Sequence, residues 1–476
     1  MDGRHLFWRW LQFNDGLSMA KKSAVTVKVQ KAATKRQTKR VARTDPAWQG
    51  VDNIRASVST MVQGLVRAAA KEFGNPTICT AGDAGRLCRG IAFPSFSLEY
   101  LFQNNVLALG RFLQLVGVEG TCKSGFACEV GRWFIEAGGM VVLKEHESKY
   151  SPDWPPSIVG WDNQDNFMYL PCNSINEWQQ AQLWTFKSTK DAMLGTASNP
   201  GPGAIYPLLS IVDSIMAKGT DDAQGRIASA GFAGRDHAVD ALSITRFLQY
   251  APQQIANWPM FSIWVNHEKP QKVPNSHVPE RNKAGGKGKE FQETYEISMS
   301  RIKRFSTARW EGLDLQMRLY KNSLGVGDRK IPITVRWWYE LADPTKPRGP
   351  DNLPRQQTVF DWHGSTIDLL LQLKASKTPA ATKVKDIANI QTAAQGKVWC
   401  RQLGITDSSP VDRFVLGEAL AQDEAVLTQL RDAFGIKIRD VFEPGVDFGQ
   451  QIGVDLRVIR DLLYNKNKKK DGPPEE

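Results

Sequence analysis

The residues best placed to do chemistry are a lysine and a hydroxyl set side by side, Lys123-Ser124. They follow the run Gly117-Val118-Glu119-Gly120-Thr121-Cys122. The spacing is one residue away from G-x-x-x-x-G-K-[ST]. In that pattern backbone N–H groups wrap an anion at a helix N-terminus, the lysine reaches the β- and γ-phosphates, and the hydroxyl ligates Mg²⁺. The departure is Cys122, which stands where the pattern has glycine; a side chain there is costly if the backbone takes positive φ. Asp213 closes the apolar run 208–212 in the manner of a Walker B carboxylate, which holds Mg²⁺ through water. Glu145 closes another apolar run, 140–143, and Asn266-His267 closes a third, 260–265. Each has a plainer reading: a solvated lysine in an ordinary βα turn, a turn-capping aspartate, a surface glutamate, a packing histidine.

What must position them is an alternation of strands and helices. Residues 112–116 form an apolar run that breaks at Gly117, and a helical pattern starts at Lys123 and stops at the C-cap signal Gly138-Gly139. Residues 173–194 and 236–256 read as helices, and Pro207 is tolerable as the first position of the strand that ends in Asp213. In a parallel α/β sheet the four tips, Gly117 to Ser124, Glu145, Asp213 and Asn266-His267, gather at the carboxyl edge, where such folds bind ligands. Period-two alternation then follows at Tyr295, Ile297 and Met299, at Leu313, Leu315, Met317 and Leu319, and at Ile331, Ile333, Val335 and Trp337. It predicts antiparallel strands that extend the sheet with one wet face.

The stretch 268–289 reads as a long mobile loop suited to phosphate contact, with Lys269, Lys272, Arg281, Lys283, Lys287 and Lys289 among its prolines and Gly285-Gly286. Residues 151–166, rich in Pro, Asp and Trp, read as a surface loop, and 76–109 as loop-rich packing on the core. The expected organisation is a disordered basic arm (1–45), an N-terminal helical and packing segment (46–108) with its helix at 51–73, an α/β core (109–342), a proline-rich linker (343–355), a mostly helical accessory domain (356–464) and a disordered tail (465–476). The arm carries nine Lys or Arg between residues 21 and 43 with no acidic residue, so it reads as a DNA- or phosphate-binding arm, a solvated tail or an organelle transit peptide; Met19 offers an alternative start.

At 476 residues and 41% hydrophobic the chain is long enough for two or three domains. Its formal net charge of +11 favours a polyanionic partner such as nucleic acid. No apolar run approaches the roughly 20 residues that cross a bilayer, so no membrane partner is expected. The six cysteines show no C-x-x-C pair and no metal-ligand spacing with the histidines, which suits free thiols in a reducing compartment.

This order of parts resembles the RecA-type homologous recombinases, above all their divergent bacteriophage versions, over residues 109–339. Gly110-Arg111 matches the opening of the first strand, 117–124 the P-loop, Glu145-His146 the position of the glutamate that polarises the attacking water, and Asp213-Ser214 the Walker B site. Asn266-His267 matches the γ-phosphate sensor, Gly285-Gly286 with Phe291 the end of the second DNA-binding loop, and Lys321-Asn322 the segment that reaches a neighbouring subunit's ATP. Cys122, Gly125 (where a second threonine is usual) and Ser323 (where a second inter-subunit lysine is usual) depart from the family.

The resemblance implies a RecA-like P-loop NTPase core, a mostly parallel sheet with an antiparallel extension. It implies ATP held by residues 117–124 with Asn266 and His267, Mg²⁺ on Ser124 and Asp213, and catalysis by Glu145, Lys123 and, from the next protomer, Lys321. DNA would be bound by residues 221–235 (Arg226, Arg235) and 268–286, and Trp154 is the candidate adenine-stacking ring. The implied activity is DNA-dependent ATP hydrolysis driving strand exchange by a helical homo-oligomeric filament on single- and double-stranded DNA, in a bacterial host cytoplasm if phage-encoded. A non-hydrolysing filament mediator and a hexameric RecA-fold helicase are the rival expectations.

Overall fold

The computed structural model describes residues 60–65, 67–69, 89–147, 149, 154–194, 206–215, 219–221, 224, 236–256, 258–271, 280–283, 293–306, 310–325, 331–341, 358–375 and 413–442. The chain divides into two compact units, 1–73 and 74–476. Within the first, residues 60–65 and 67–69 are helical, inside the helix expected at 51–73, with Met61 and Leu65 exposed.

The second unit is an α/β structure built on a ten-stranded mixed sheet. Its elements are β1 (Gly90–Ala92), α1 (Phe96–Phe102), β2 (Val106–Ala108), β3 (Arg111–Gly117), α2 (Lys123–Glu136), β4 (Met140–Glu145), α3 (Trp154–Val159), β5 (Phe167–Pro171), α4 (Ile175–Leu194), β6 (Leu208–Asp213), α5 (Asp236–Ile255), β7 (Met260–Gln271), β8 (Glu280–Lys283), β9 (Tyr295–Ser306), β10 (Trp310–Asn322), β11 (Ile333–Glu340), β12 (Thr358–Asp361), α6 (Trp362–Ala375), α7 (Arg413–Gln422) and α8 (Glu424–Phe434). Spatial order is β12-β11-β10-β9-β3-β7-β6-β4-β5, with β8 paired to β7. Strands β9 through β5 run parallel; β10, β11, β12 and β8 are antiparallel additions.

The central strands are continuous apolar runs because both faces are covered. Leu113, Leu115, Val141, Leu143, Leu209, Ile211, Phe261 and Ile263 join one core with α1, α2 and α6. Their neighbours along the strands, Phe112, Val142, Leu208, Val212, Met260 and Trp264, join a second core with α4 and α5. Successive strand residues point to opposite faces, so one sheet feeds two cores. The second core carries a buried polar chain. Lys144 Nζ donates to Ser210 Oγ (2.7 Å), Ser210 Oγ to Gln182 Oε1 (2.6 Å) and Gln182 Nε2 to Ser262 Oγ (2.9 Å). Burial lowers the Lys144 pKa to about 7.

Several expectations are corrected. Residues 151–166 are no open loop throughout: α3 buries Pro155, Pro156, Ile158 and Val159, a 3₁₀ turn spans Trp161–Asn166, and β5 follows as the edge strand. The stretch expected as a loop from 268 instead continues β7 to Gln271 and pairs it with β8, Glu268 opposite Lys283 and Gln271 opposite Glu280. A ribbon of polar residues has no apolar face, so alternation could not reveal it. Residues 96–108 split into α1 and β2 where Gln103 takes a left-handed φ of 58°.

Among the described residues, those from 358 onward pack on the core. β12 extends the main sheet, and Trp362 Nε1 donates to the buried Glu129 Oε1 of α2 (2.8 Å). Further along, Asp423 caps α8 by accepting from Val426 N, and Gly435 ends it in the left-handed region. Residues 437–442 then bond along the early chain, with Lys437 N donating to Gln103 O and Phe442 N to Gly90 O. The arm 1–45, the linker 343–355 and the tail 465–476 lie outside the described residues.

Arg431 of α8 grips Glu99 of α1 with two bonds of 2.7 Å, and Glu99 is 4% exposed. Removing the guanidinium strands a buried carboxylate. Arg431→Ala should cost about 3 kcal/mol in guanidinium chloride unfolding, and Glu99→Leu with Arg431→Leu should recover most of it.

Candidate functional site

The loop between β3 and α2 has the backbone of an anion cradle. Gly117 ends β3 pressed against Met299 of β9, where a Cβ would collide with the Met299 carbonyl. Gly120 (φ 74°) and Cys122 (φ 60°) both take left-handed conformations, and Thr121 Oγ1 donates to Val118 O (2.8 Å). Lys123, 5% exposed, folds back over the loop, its Nζ donating to Gly117 O (3.0 Å) and Val118 O (2.8 Å). Burial lowers the Lys123 pKa, while the carboxylates of Asp213 and Glu147 favour its charged form.

The three other tips stop level with it. Register sets Gly117 of β3 beside His267 of β7, and Glu145 of β4 beside Asp213 of β6. Asp213 accepts a hydrogen bond from Ser124, and burial outweighs that bond, raising the Asp213 pKa to about 6. The Asp213–Ser214 peptide is cis. Glu145 is 7% exposed and turned onto its own chain. Its Oε1 accepts from Glu147 N (2.8 Å) and Lys149 N (3.0 Å), and its Oε2 from Tyr169 Oη (3.3 Å).

The carboxylate that meets the histidine is Glu147. His267 Nε2 lies 2.6 Å from Glu147 Oε1, and since an ionised carboxylate only accepts, Nε2 carries the proton. That bond, aided by Ser214 and Lys149, holds the Glu147 pKa down to about 2. Lys149 Nζ lies 3.3 Å from both Glu147 and Glu119 of the loop, so a line of charge runs from loop to β7 tip.

One cavity of about 740 Å³ joins these groups, a size suited to a cofactor or small substrate. It is lined by Lys123, Ser124, Glu145, Glu147, Asp213 and His267. Trp154 and the β9–β11 residues Phe305, Trp337 and Tyr339 supply an aromatic wall. Of the expected site residues, 119–124, Glu145, Asp213 and His267 therefore meet. Val118 is exposed and contributes only its carbonyl; Asn266 is fully buried and does not line the cavity. Lys321 sits half-buried on β10 opposite Glu296, also away from the cavity. Arg226, Arg235, Lys272 and Lys287 lie outside the described residues, and the side chains of Lys269, Arg281 and Lys283 are likewise not described.

Glu147, Lys149 and Tyr169 were missed by sequence reasoning. The signal for Glu147 was its spacing two residues beyond Glu145, past the end of the apolar run. No protein-family model matches the chain, and no curated protein is found to be related to it.

Cys122, the loop's departure from the phosphate-loop pattern, and Gly125 just after the loop explain each other. A Cβ on Gly125 would collide with Cys122 Sγ, so the cysteine fills the space that a side chain at 125 would take. Gly125→Thr alone should destabilise by about 2 kcal/mol through overpacking, whereas Cys122→Gly with Gly125→Thr should restore the melting temperature, read by calorimetry.

Asp213 also costs the fold stability. Its folded pKa is raised, so ionising it works against folding as pH climbs from the ordinary aspartate range to about 6, and the cost is constant above that. Asp213→Asn should stabilise the chain by about 1–2 kcal/mol at pH 7, with the gain gone by about pH 4 in unfolding titrations.

Proposed function

We propose that this chain is an ATP-dependent DNA strand-exchange protein of RecA type, which binds MgATP in the cavity at the strand tips and polymerises on single-stranded DNA. The observation that carries the proposal is the meeting of Lys123, Ser124, Asp213 and the Glu147–His267 pair around one cavity at the carboxyl edge of a parallel sheet.

Mg²⁺ suits the donors present. Ser124 and Asp213 are already hydrogen-bonded to one another. One hydroxyl and one carboxylate is the sparse set that this ion accepts, since it keeps its waters and takes phosphate oxygens. Bound there, the ion would supply positive charge against that of the phosphates.

The chain's own residues do the rest. Loop amides and Lys123 hold the phosphates, Lys123 leaving the Gly117 and Val118 carbonyls to do so. Glu147 is the group proposed to orient the attacking water, because it stays ionised at any working pH and faces the β7 tip. Glu145 is assigned to positioning: it fixes the 147 and 149 backbone amides from beneath. His267 shares its proton between Glu147 and an arriving phosphate oxygen.

Because β7 runs unbroken from His267 into the ribbon with β8, displacement at the tip is passed along a strand toward Lys269, Arg281 and Lys283. These cations, with the net charge of +11, suit a polyphosphate backbone. Absence of hydrolysis despite tight ATP binding would favour the non-hydrolysing mediator, for which the saturated Glu145 speaks. Lys321 lies outside its own chain's cavity, and this scheme assigns it to the ATP of the next protomer.

Phosphate release measured with and without single-stranded DNA tests the scheme. Wild type should be stimulated; Glu147→Gln should fall about 100-fold or more with ATP affinity kept; Glu145→Gln should retain measurable turnover. MgATP affinity should fall as pH drops through about 6, where Asp213 takes up its proton. Calorimetry finding no nucleotide uptake by the full chain would end the proposal.

A further inference from the structure

The charge around the cavity does not suit a triphosphate without further help. Five carboxylates line it: Glu119, Glu145, Glu147, Asp213 and Glu311. Of the lining cations, Lys149 is held between Glu119 and Glu147, and Lys123 is bonded to loop carbonyls. A polyanion entering here needs uncommitted positive charge within reach.

Strand β9 offers it from within the chain. It runs parallel to β3, Val116 beside Ser298, and continues past the end of β3 alongside the phosphate loop, where Met299 packs on Gly117. Arg301 follows, exposed, with its Nη1 4.0 Å from the position a Cβ on Gly120 would take, at the apex of the loop. Arg304, also exposed, lines the cavity itself. Among the described residues neither guanidinium is held in an ion pair.

Residues three apart on a regular strand face opposite ways. Here a bulge at Ile302 changes that: Arg301 pairs with Leu315, Lys303 with Asp314 and Arg304 with Leu313. Leu313 and Leu315 share one face of β10, and Leu313 lines the cavity, so the bulge sets both arginines on the cavity face. Re-aiming a side chain next to a site is a common use of a bulge. The apex is also the terminal-phosphate side of the cradle, because Glu119 there is tied through Lys149 to Glu147.

We infer that Arg301 is a phosphate-contacting arginine acting within its own chain, reading the terminal phosphate of a bound nucleoside triphosphate, with Arg304 beside it. The inference rests on the nucleotide site proposed above. It separates binding of the third phosphate from any cation lent by a neighbouring protomer.

Calorimetric titration of the full chain with MgADP and with a β,γ-imido analogue of MgATP, at a protein concentration too low for assembly, tests it. Arg301→Ala should weaken the triphosphate analogue about tenfold or more, as loss of a charge-assisted bond predicts, and leave MgADP within about twofold. Arg301→Lys should recover part of the loss. Unchanged affinities, or equal losses for both ligands, would overturn the assignment while leaving the nucleotide site standing. Wild type binding neither ligand would remove the site and the assignment together.

Discussion

The structure depends on the shared level at which its parallel strands stop. A one-residue slip in a sheet sends every side chain to the opposite face, and here both faces are buried, so register is fixed twice over. Leu143, Ile211 and Ile263 must enter one core while Val142, Val212 and Trp264 enter the other. That requirement sets Glu145 beside Asp213 and Gly117 beside His267, with no contact among the polar groups needed to arrange it. The polar side chains come together because the apolar ones have no other way to pack.

Two neighbouring carboxylates show how local surroundings divide labour at such an edge. Asp213 is dominated by burial, and its pKa rises to about 6; Glu147 is dominated by donors, and its pKa falls to about 2. Groups of one chemical type pushed apart in this way differ in charge between those two values, one protonated and the other ionised. Lys123 is held between opposing effects, since desolvation works against its charge while the same carboxylates work for it. An incoming phosphate would relieve that tension from the other side, and for this reason an acidic cavity is compatible with an anionic ligand once cations are close.

Much of this was legible in the sequence. The apolar runs, the loop from Gly117, the C-cap at Gly138-Gly139 and the tips Glu145, Asp213 and His267 all stood out, because burial on both faces writes continuous hydrophobic stretches and glycines punctuate them. What was not legible has physical causes. Glu147 and Lys149 lie past the last apolar residue, where no periodicity reports direction. The β7–β8 ribbon has no dry face to announce it, and β12 is four residues long, recognisable only through its pairing with β11. The packing of the described residues beyond 357 on the core was not legible either, because the contacts that make it, Trp362 to Glu129 and Arg431 to Glu99, span more than 200 residues.

The loop itself shows how a departure from a pattern can preserve the geometry the pattern encodes. Glycine is usual at position 122 because φ is positive there, and φ is positive here too, at 60°. The cysteine thus accepts a strained backbone without altering its course. Its side chain needs room, and the room comes from the first turn of α2, where Gly125 has no Cβ to offer against the sulfur. Lys123 and Ser124 still open α2. The form of the loop is therefore kept although the motif's second glycine is replaced. A thiol pushed well above its ordinary pKa by burial adds no charge to the cradle, so the exchange is also silent electrostatically.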